Sequence, residues 1–325
     1  MIQPHRESSG PLVSVLIPCY NAERWILQTL DSVLRQSWRN LEVLVVDDGS
    51  KDASLNLLGS ITDPRMRVVS QENQGQTSAL NRCLLEARGD FIQYLDADDL
   101  IHPEKIERQM KRLVDAPDCL ATSEWARFYD QPDQARFIPD ETWCDVAPVD
   151  WLVEAWRDGG GMLFPAQWLA SRNLVDRIGP WREDLTLNND AEYFSRLVLA
   201  SERILFCKGA KAYYRSGISG SLSGLKSKEG WKSQWIVIEC CENYLLGAEN
   251  TERTRRAISI LWQRFAHACH PYDPLLADQA IERAHELHPV SVVPTGGHAY
   301  RVIQSLLGWR TARRFQTKYY RWRGI

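Results

Sequence analysis

Residues 12–100 alternate between apolar runs of strand length and amphipathic segments of helical period. The runs LVSVLIP and LEVLVVD are almost continuously apolar, as in strands that are buried on both faces of a parallel sheet. Between them lies a helical stripe of apolar residues, with Asn21 where an N-cap is expected. Strand–helix alternation of this kind requires crossover connections between parallel strands. The sequence therefore predicts a doubly wound α/β fold, in which helices flank a mainly parallel sheet.

The alternation weakens after residue 117, and from residue 231 onward the apolar pattern is helical. We therefore expect a two-part α/β domain followed by a helical C-terminal extension. The expected bounds are 1–228 for the domain, 12–117 and 118–228 for its two parts, and 229–325 for the helical region.

The composition is typical of a globular protein and excludes several classes. Of 325 residues, 44% are hydrophobic and 25% charged, and the net charge of -3 gives no reason to expect a nucleic-acid partner. The N-terminal residues lack the apolar core of a signal peptide, and polar residues interrupt the longest apolar stretch, WIVIECCENYLLG. We expect a cytoplasmic protein without a transmembrane span.

Cysteine and histidine give little support for a zinc or redox site. The eight cysteines form no CxxC unit with a matching partner, so we expect free thiols. His267 and His270 lie three positions apart on a predicted helix, and we interpret them as residues of the helix surface.

Polar residues follow three predicted strands, where parallel α/β sheets bind ligands. The first strand runs into Pro18, Tyr20 and Asn21, the second into Asp47 and Asp48, and a later one into Asp-Ala-Asp-Asp at 96–99. Carboxylates at this edge can hold a divalent cation, which can in turn hold a diphosphate. Alternatively, Asp48 could bond a base or ribose while Tyr20 stacks on the base. Each acidic motif alone is also a common turn or helix start, but their convergence favours a binding site.

Two longer stretches carry a resemblance to a known family. PLVSVLIPCYNAERWILQTLDSVLRQSWRNLEVLVVDDGSKDAS and QENQGQTSALNRCLLEARGDFIQYLDADD resemble the family 2 glycosyltransferases, which are inverting enzymes of the GT-A fold that use nucleotide-sugars. The resemblance is strong over 12–110, looser to about residue 225, and fades beyond. It implies a GT-A-type domain whose first part binds the nucleotide-sugar and whose second part binds the acceptor.

The resemblance also implies roles for individual residues. Tyr20 and Asp48 match positions that stack on and hydrogen-bond to the base, usually uracil, and Asp190 matches the general base. Asp98 and Asp99 are the expected ligands of Mn²⁺ or Mg²⁺. The residues implied in nucleotide-sugar binding are Pro18, Tyr20, Asn21, Asp48, Asp96, Ala97, Asp98 and Arg215.

Several positions depart from the family pattern. Leu80 stands where an arginine is frequent, and Asn189 stands where a glutamate frequently precedes the base. No histidine follows Arg215, which leaves this arginine either as a phosphate partner or as a surface residue at the end of a strand. Trp181, near the base in sequence, is the candidate ring for an acceptor sugar.

The expected function is metal-assisted, inverting transfer of a sugar, with UDP as the expected nucleotide, to a hydroxyl of a glycan or lipid-linked acceptor in polysaccharide biosynthesis. Two alternatives stay open: a non-catalytic nucleotide-sugar-binding protein and a sugar nucleotidyltransferase. A nicotinamide-dependent oxidoreductase is excluded because no GxGxxG motif follows the first strand.

The C-terminal segment GWRTARRFQTKYYRWRGI mixes basic and aromatic residues and contains no acid. Such a segment suits peripheral contact with an anionic membrane surface. It equally suits a helix that packs on the rest of the protein, and the sequence leaves both interpretations open.

Overall fold

The computed structural model describes residues 10–158, 161–218, 227–292 and 297–323. Its central element is a five-stranded sheet. The strands are β1 (Val13–Cys19), β2 (Leu41–Asp47), β3 (Met66–Ser70), β4 (Phe91–Tyr94) and β7 (Ala170–Ser171). They lie in the order β3-β2-β1-β4-β7; four are parallel, and only β7 runs antiparallel to its neighbour. The predicted mainly parallel α/β sheet is confirmed.

The connections between the parallel strands are helical, as the alternating pattern predicts. The helices of this part are α1 (Ile26–Leu34), α2 (Ser54–Gly59), α3 (Gln76–Glu86) and α4 (Lys105–Leu113). The expected N-cap at Asn21 is wrong, because α1 begins at Ile26 and Trp25 occupies the N-cap position. Asn21 instead has a φ of 49°, in the left-handed region that asparagine tolerates in turns.

A second sheet has three strands, β5 (Leu100–Ile101), β6 (Leu120–Phe128) and β8 (Ile204–Arg215). They lie in the order β5-β8-β6. Three further helices belong to this part of the sequence: α5 (Pro148–Trp156), α6 (Arg172–Ile178) and α7 (Asn189–Ala200). The short strand β5 directly follows the acidic turn 96–99 and pairs with the end of β8, so the second sheet positions that turn.

The remaining helices form the predicted helical region: α8 (Lys228–Ala248), α9 (Glu252–Cys269), α10 (Pro274–Leu287) and α11 (His298–Arg323). His267 and His270 are buried in it, so the expectation of surface histidines is wrong. Both rings pack against Trp309 of α11, at centroid distances of 4.5 and 5.3 Å. The pattern of α9 alone could not show that a distant helix covers this face.

The chain divides into two compact units. The first comprises Met1–Trp151 and Leu163–Leu222, and the second comprises Leu152–Met162 and Ser223–Ile325. The division after residue 222 lies near the expected boundary at 228, but the inclusion of 152–162 in the helical unit was not predicted. Within that unit, Val153 and Arg157 line a common cavity with residues of α9. No helix in the described part of the chain has the length and apolar character needed to cross a bilayer.

Candidate active site

The carboxyl ends of three parallel strands bring the sequence-predicted residues to one edge of the main sheet. In the register, Cys19 of β1 lies beside Asp47 of β2, and Leu16 of β1 lies beside Tyr94 of β4. The residues that follow these strands therefore leave the sheet on the same side. Tyr20, Asp48 and the turn 96–99 meet at this edge because the strands are parallel and in register.

The turn after β1 combines an exposed aromatic ring with a rigid backbone. The side chain of Tyr20 is 46% exposed, whereas Pro18 is buried within β1. The backbone N–H of Asn21 donates to Ser50 Oγ at 3.0 Å, and its side-chain oxygen accepts from the N–H of Lys51 at 2.8 Å. These bonds tie the turn after β1 to the turn after β2. An aromatic face held on a fixed turn can stack on a planar ligand.

Asp48 has a structural role that the sequence did not reveal. Its carboxylate is 2% exposed and accepts hydrogen bonds from the N–H groups of Gln74 and Gly75, at 2.9 and 2.8 Å. The side-chain amides of Gln71 and Asn73 donate to the same carboxylate, at 2.8 and 3.1 Å. Four protein donors thus occupy it, and it shapes the loop before α3. The base contact implied by the family resemblance stays a prediction, and it would require some of these bonds to be exchanged.

The acidic turn after β4 is held from several directions. Asp96 Oδ1 accepts from the Gln76 side chain at 2.9 Å, and the carbonyl of Ala97 accepts from Thr29 Oγ1 at 2.9 Å. Asp99 is 1% exposed, and its Oδ1 accepts the backbone N–H of Arg215 at 2.8 Å. Its second oxygen is buried without a hydrogen-bond partner among the described residues.

The electrostatics of this turn favour neutralisation of its carboxyl groups. Burial raises the pKa of Asp96 well above its usual value, and the charges of Asp190 and Asp98 raise it further. Burial also raises the pKa of Asp99, as do the charges of Asp98 and Asp96. Asp98 itself has a pKa raised by burial, although the charge of Arg215 acts in the opposite direction. Acids that repel one another in a buried place require protons or a cation.

Asp190 lies at the start of α7, and its charge acts on Asp96 of the acidic turn. Burial raises the pKa of Asp190 to about 7. Its Oδ1 is buried and has no hydrogen-bond partner among the described residues. A carboxylate with these properties can accept a proton from a ligand near neutral pH.

The sequence reasoning missed two residues, of which Gln76 connects the turn to the start of α7 and Asn81 bonds to the loop before α7. The Gln76 amide donates to Asp96, and Gln76 Oε1 accepts from the Asn189 side chain at 3.4 Å. Asn81 exchanges hydrogen bonds with the backbone of Trp181, at 2.8 and 2.9 Å. Both Gln76 and Asn81 belong to α3, so this helix bridges the two acidic segments. Trp181 lies 100 residues from Asn81 and Asn189 lies 113 residues from Gln76, so no local pattern could have identified these two pairs.

The structure corrects the expectation for Trp181. This ring is 2% exposed, and it stacks on Tyr193 with a centroid distance of 3.8 Å and an interplanar angle of 1°. It also contacts Tyr94 edge-on. A ring that is enclosed by other aromatic side chains cannot present its face to an acceptor sugar. Trp181 is a core residue whose packing supports the loop before Asp190.

The structure also shows the surroundings of the positions that depart from the family pattern. Leu80 is buried in the core at 1% exposure, so no polar group at this position faces the site. Arg82 pairs with Glu86 one turn further along α3, at 2.8 Å. Arg215 is 3% exposed, and its guanidinium bonds to protein oxygens, including the carbonyl of Asp98. The phosphate contact of Arg215 stays a prediction that these bonds do not favour.

The oxygen donors at this edge fit a hard divalent cation by their chemistry. Carboxylate oxygens are the ligands that Mg²⁺ and Mn²⁺ prefer, and Mg²⁺ sites typically combine one or two carboxylates with substrate phosphates. The partnerless oxygen of Asp99 and the mutual repulsion of the acids suit such an ion. Among the described residues, however, no three His, Cys, Asp or Glu side chains are grouped to hold a metal by themselves. Any ion here would need further ligands, from water or from a bound molecule.

Comparison with known proteins gives a consistent result. Residues 14–144 match the family model described as Glycosyl transferase family 2. An uncharacterized glycosyltransferase of Rickettsia prowazekii is 39% identical over 214 residues, which are 60% of this chain and 64% of the relative. The chondroitin synthase of Escherichia coli is 41% identical over 99 residues, which are 30% of this chain and 14% of the synthase. The chain thus spans less than two thirds of the length of these curated relatives.

Solved structures share the architecture. The S. aureus TarS 1-349 complex with UDP-GlcNAc matches with a TM-score of 0.62 at 17% identity, over 85% of this chain and 90% of that chain. The TarS 1-349 complex with UDP matches with a TM-score of 0.64 at 18% identity, over 94% of this chain and 88% of that chain. This likeness confirms the expected GT-A-type fold. Residues 14–144, which include the acidic edge of the sheet, are similar to the proteins of glycosyl transferase family 2.

Proposed function

We propose that this protein transfers a sugar from a nucleotide-diphosphate sugar to a hydroxyl group of a glycan or lipid-linked acceptor, with inversion at the anomeric carbon. One observation carries the proposal: the Asp190 carboxyl, with its raised pKa and its partnerless buried oxygen, acts electrostatically on Asp96 of the acidic turn. A group that can accept a proton, Asp190, thus lies within electrostatic range of the acidic turn 96–99, which could hold a metal ion. The match of residues 14–144 to the glycosyl transferase family 2 model supports the reaction class.

The donor nucleotide is proposed to bind at the edge formed by β1, β2 and β4. The exposed ring of Tyr20 supplies a face on which a base can stack, and the carboxyl groups of the turn 96–99 lie at the same edge. We propose UDP as the nucleotide because S. aureus TarS, which shares the fold, was solved with UDP and with UDP-GlcNAc.

A divalent cation is part of the proposal. Asp98 and Asp99 would hold Mn²⁺ or Mg²⁺ together with phosphate oxygens of the donor, and Asp96 would contact the ribose. When bound, the ion would stabilise the negative charge that develops on the leaving diphosphate. The chain's own contribution is to hold the acidic turn in place, through Gln76, Thr29 and the backbone of Arg215.

Asp190 is the proposed general base. An acceptor hydroxyl is a poor nucleophile until its proton is removed, and Asp190 with a pKa of about 7 can take that proton at neutral pH. Attack from the face opposite to the leaving diphosphate inverts the anomeric centre. Asn189, which stands where the family often has glutamate, bonds to Gln76 and so fixes the start of α7 instead of supplying a second carboxylate.

We also propose peripheral contact between α11 and an anionic membrane surface, at the cytoplasmic face. Residues 297–323 contain no acidic side chain. Arg301, Arg314 and Lys318 of this helix are exposed. Large apolar side chains are exposed on the same helix: Val302, Leu306, Leu307, Phe315, Tyr319 and Trp322. Cations interspersed with exposed aromatic and aliphatic groups match a surface of anionic headgroups over acyl chains. A lipid-linked acceptor would give this contact a purpose.

The reaction is tested with a panel of nucleotide-sugars, in Mn²⁺, in Mg²⁺ and in excess chelator. We expect one donor to raise the melting temperature of the protein, and to release its nucleoside diphosphate when an acceptor is present. The anomeric configuration of the product, read by NMR, should be opposite to that of the donor. Binding without turnover across a broad acceptor panel would favour a non-catalytic nucleotide-sugar-binding protein. Release of pyrophosphate from a nucleoside triphosphate would indicate a nucleotidyltransferase, and full activity in chelator would exclude the proposed metal.

A further inference from the structure

Arg215, the last residue of β8, is an enclosed cation next to the acidic turn. Its side chain is 3% exposed. The guanidinium carbon lies 4.2 Å from the ring centroid of Trp25 and 4.4 Å from that of Phe128. Trp25 precedes α1 and Phe128 ends β6, so aromatic rings from two separate elements contact one cation. Such contacts are strongest where water is excluded, as it is here.

The hydrogen bonds of Arg215 point to the turn and to α1. Its backbone N–H donates to Asp99 Oδ1 at 2.8 Å, and its side-chain Nε donates to the carbonyl of Asp98 at 2.8 Å. Its Nη2 donates to Gln28 Oε1 at 2.6 Å, and Nη1 reaches the carbonyl of Tyr129 at 3.5 Å. A planar guanidinium can make these bonds together because its donors form a fixed fork. Arg215 therefore connects the acidic turn to α1 and to the loop after β6.

These contacts of Arg215 counteract the electrostatic repulsion between the carboxyl groups of the turn. The carboxyl groups of Asp96, Asp98 and Asp99 lie within four positions and repel one another when ionised. Arg215 places a positive charge beside Asp98 and Asp99 and holds the backbone between them. Three of its five side-chain N–H groups donate to protein oxygens and the residue is 3% exposed, so a diphosphate would have to displace existing contacts in order to reach it. The geometry therefore favours a role of Arg215 in supporting the turn over a role in binding the phosphates.

We infer that Arg215 is a positioning residue: it clamps the turn 96–99 onto α1, so that the carboxylate of Asp98 is presented to a metal-bound donor, and it does not itself contact the diphosphate. This inference rests on the proposed function. It differs from the role implied by the family resemblance, in which Arg215 is a phosphate partner, and the two roles predict different effects on binding.

The test measures the affinity for UDP by calorimetry, in chelator and in Mn²⁺, for the wild type and for Arg215→Lys. Lysine keeps the charge but loses the fork, so it cannot bond Asp98 and Gln28 together. In chelator, the variant should bind UDP within about two-fold of the wild type, since no bond to UDP is lost. In Mn²⁺, the variant should lose about ten-fold in affinity, the size of one charge-assisted hydrogen bond.

Two further variants serve as controls for the expected loss of affinity in Mn²⁺. Gln28→Leu removes only the Nη2 acceptor at an exposed position, and it should reproduce part of the loss in Mn²⁺ without a change in folding. Arg127→Lys is the matched control, because Arg127 also stacks on an aromatic ring of the second sheet, at 4.9 Å from the Tyr214 centroid. Its guanidinium donates to Ser216 Oγ at 2.9 Å, and Arg127→Lys should bind UDP like the wild type in both conditions.

The outcomes separate this inference from the proposed function. If the wild type binds no nucleotide under any condition, the proposed function fails and the positioning role fails with it. If the wild type gains affinity from Mn²⁺ and Arg215→Lys keeps that full gain, only the inference about Arg215 is wrong. An equal loss of affinity in chelator and in Mn²⁺ would instead identify Arg215 as a direct phosphate ligand. If Mn²⁺ does not change the affinity of the wild type for UDP, the positioning role is also wrong.

Discussion

At the scale of single residues, the environment of Asp190 predicts how the reaction depends on pH. A general base works only when it is deprotonated, and burial raises the pKa of Asp190 to about 7. The turnover number should therefore rise with pH and level off above an apparent pKa near this value. Asp190→Asn should lower turnover by about 10²–10⁴-fold, remove this pH dependence, and leave the affinity for UDP unchanged.

The matched control for this prediction is Asp184→Asn, which removes an exposed carboxyl group of the preceding loop that pairs with Arg182. It should keep both turnover and the pH profile of the wild type. A loss of only a few-fold in Asp190→Asn, with the pH profile retained and chemistry shown to limit the rate, would assign the base to another residue.

At the scale of elements, α11 contains a non-helical residue, Gly308, with a φ of 78°. Beyond it, Ala312 is 1% exposed, and Arg313 donates to the carbonyl of His267 at 3.1 Å. One side of the segment therefore packs on α9, while Phe315, Trp322 and the neighbouring cations stay exposed. Packing on the protein and contact with a membrane surface are thus compatible interpretations of the C-terminal segment, because they use different sides of one helix.

The membrane proposal predicts that reversal of two exposed charges on α11 weakens binding to anionic liposomes. Since each cation near such a surface contributes about 1 kcal/mol, Arg314→Glu with Lys318→Glu should lower binding at low salt by more than about ten-fold. Binding of the wild type should also fall as salt is added. Co-sedimentation measures both effects.

The control for this experiment makes the same change of net charge elsewhere in the helical unit. Lys232→Glu with Arg255→Glu alters two exposed residues of α8 and α9 and should bind nearly as the wild type does. Equal binding by the two double variants would attribute the contact to net charge alone, and no binding by the wild type would leave α11 with a packing role only.

At the scale of the whole molecule, the acidic site should cost stability at neutral pH. The carboxyl groups of Asp96, Asp98, Asp99 and Asp190 have raised pKa values in the folded state. In the unfolded chain they release protons near pH 4, whereas in the folded protein they keep them to higher pH. The folded state then binds more protons than the unfolded state, so stability falls as pH rises from about 4 through 7.

This prediction is checked by chemical unfolding of the metal-free wild type and of Asp190→Asn between pH 5 and pH 8. The variant should gain free energy of unfolding relative to the wild type as pH rises, by at most about 1.4 kcal/mol per pH unit. A saturating concentration of Mn²⁺ with UDP should remove much of the decline of the wild type, because neutralised carboxylates no longer repel. A difference between the two proteins that stays constant with pH would contradict the raised pKa of Asp190.

Much of the fold was predictable because apolar periodicity is a local property of the chain. The run at 41–47 became β2 with the predicted bounds, and the run at 12–18 became β1, displaced by one residue. The carboxyl ends of these strands indicated where Asp48 and the turn 96–99 would lie, since parallel strands end at one edge. The start of α1 was not predictable in the same way, because Asn21 fits both a cap and a left-handed turn.

The α/β class, the edge of the sheet that carries the acidic residues and the candidates for each role were all predictable, since they follow from residue types and short-range spacing. The folded chain was needed to show which of these side chains are engaged by other protein groups and which are available to a ligand. Asp48 accepts hydrogen bonds from the loop that follows β3, Trp181 stacks on Tyr193, and Arg215 contacts aromatic rings of two other elements. The physical reason is that hydrogen bonds and ring contacts join residues far apart in the chain, and their geometry exists only once the packed core has fixed the backbone positions.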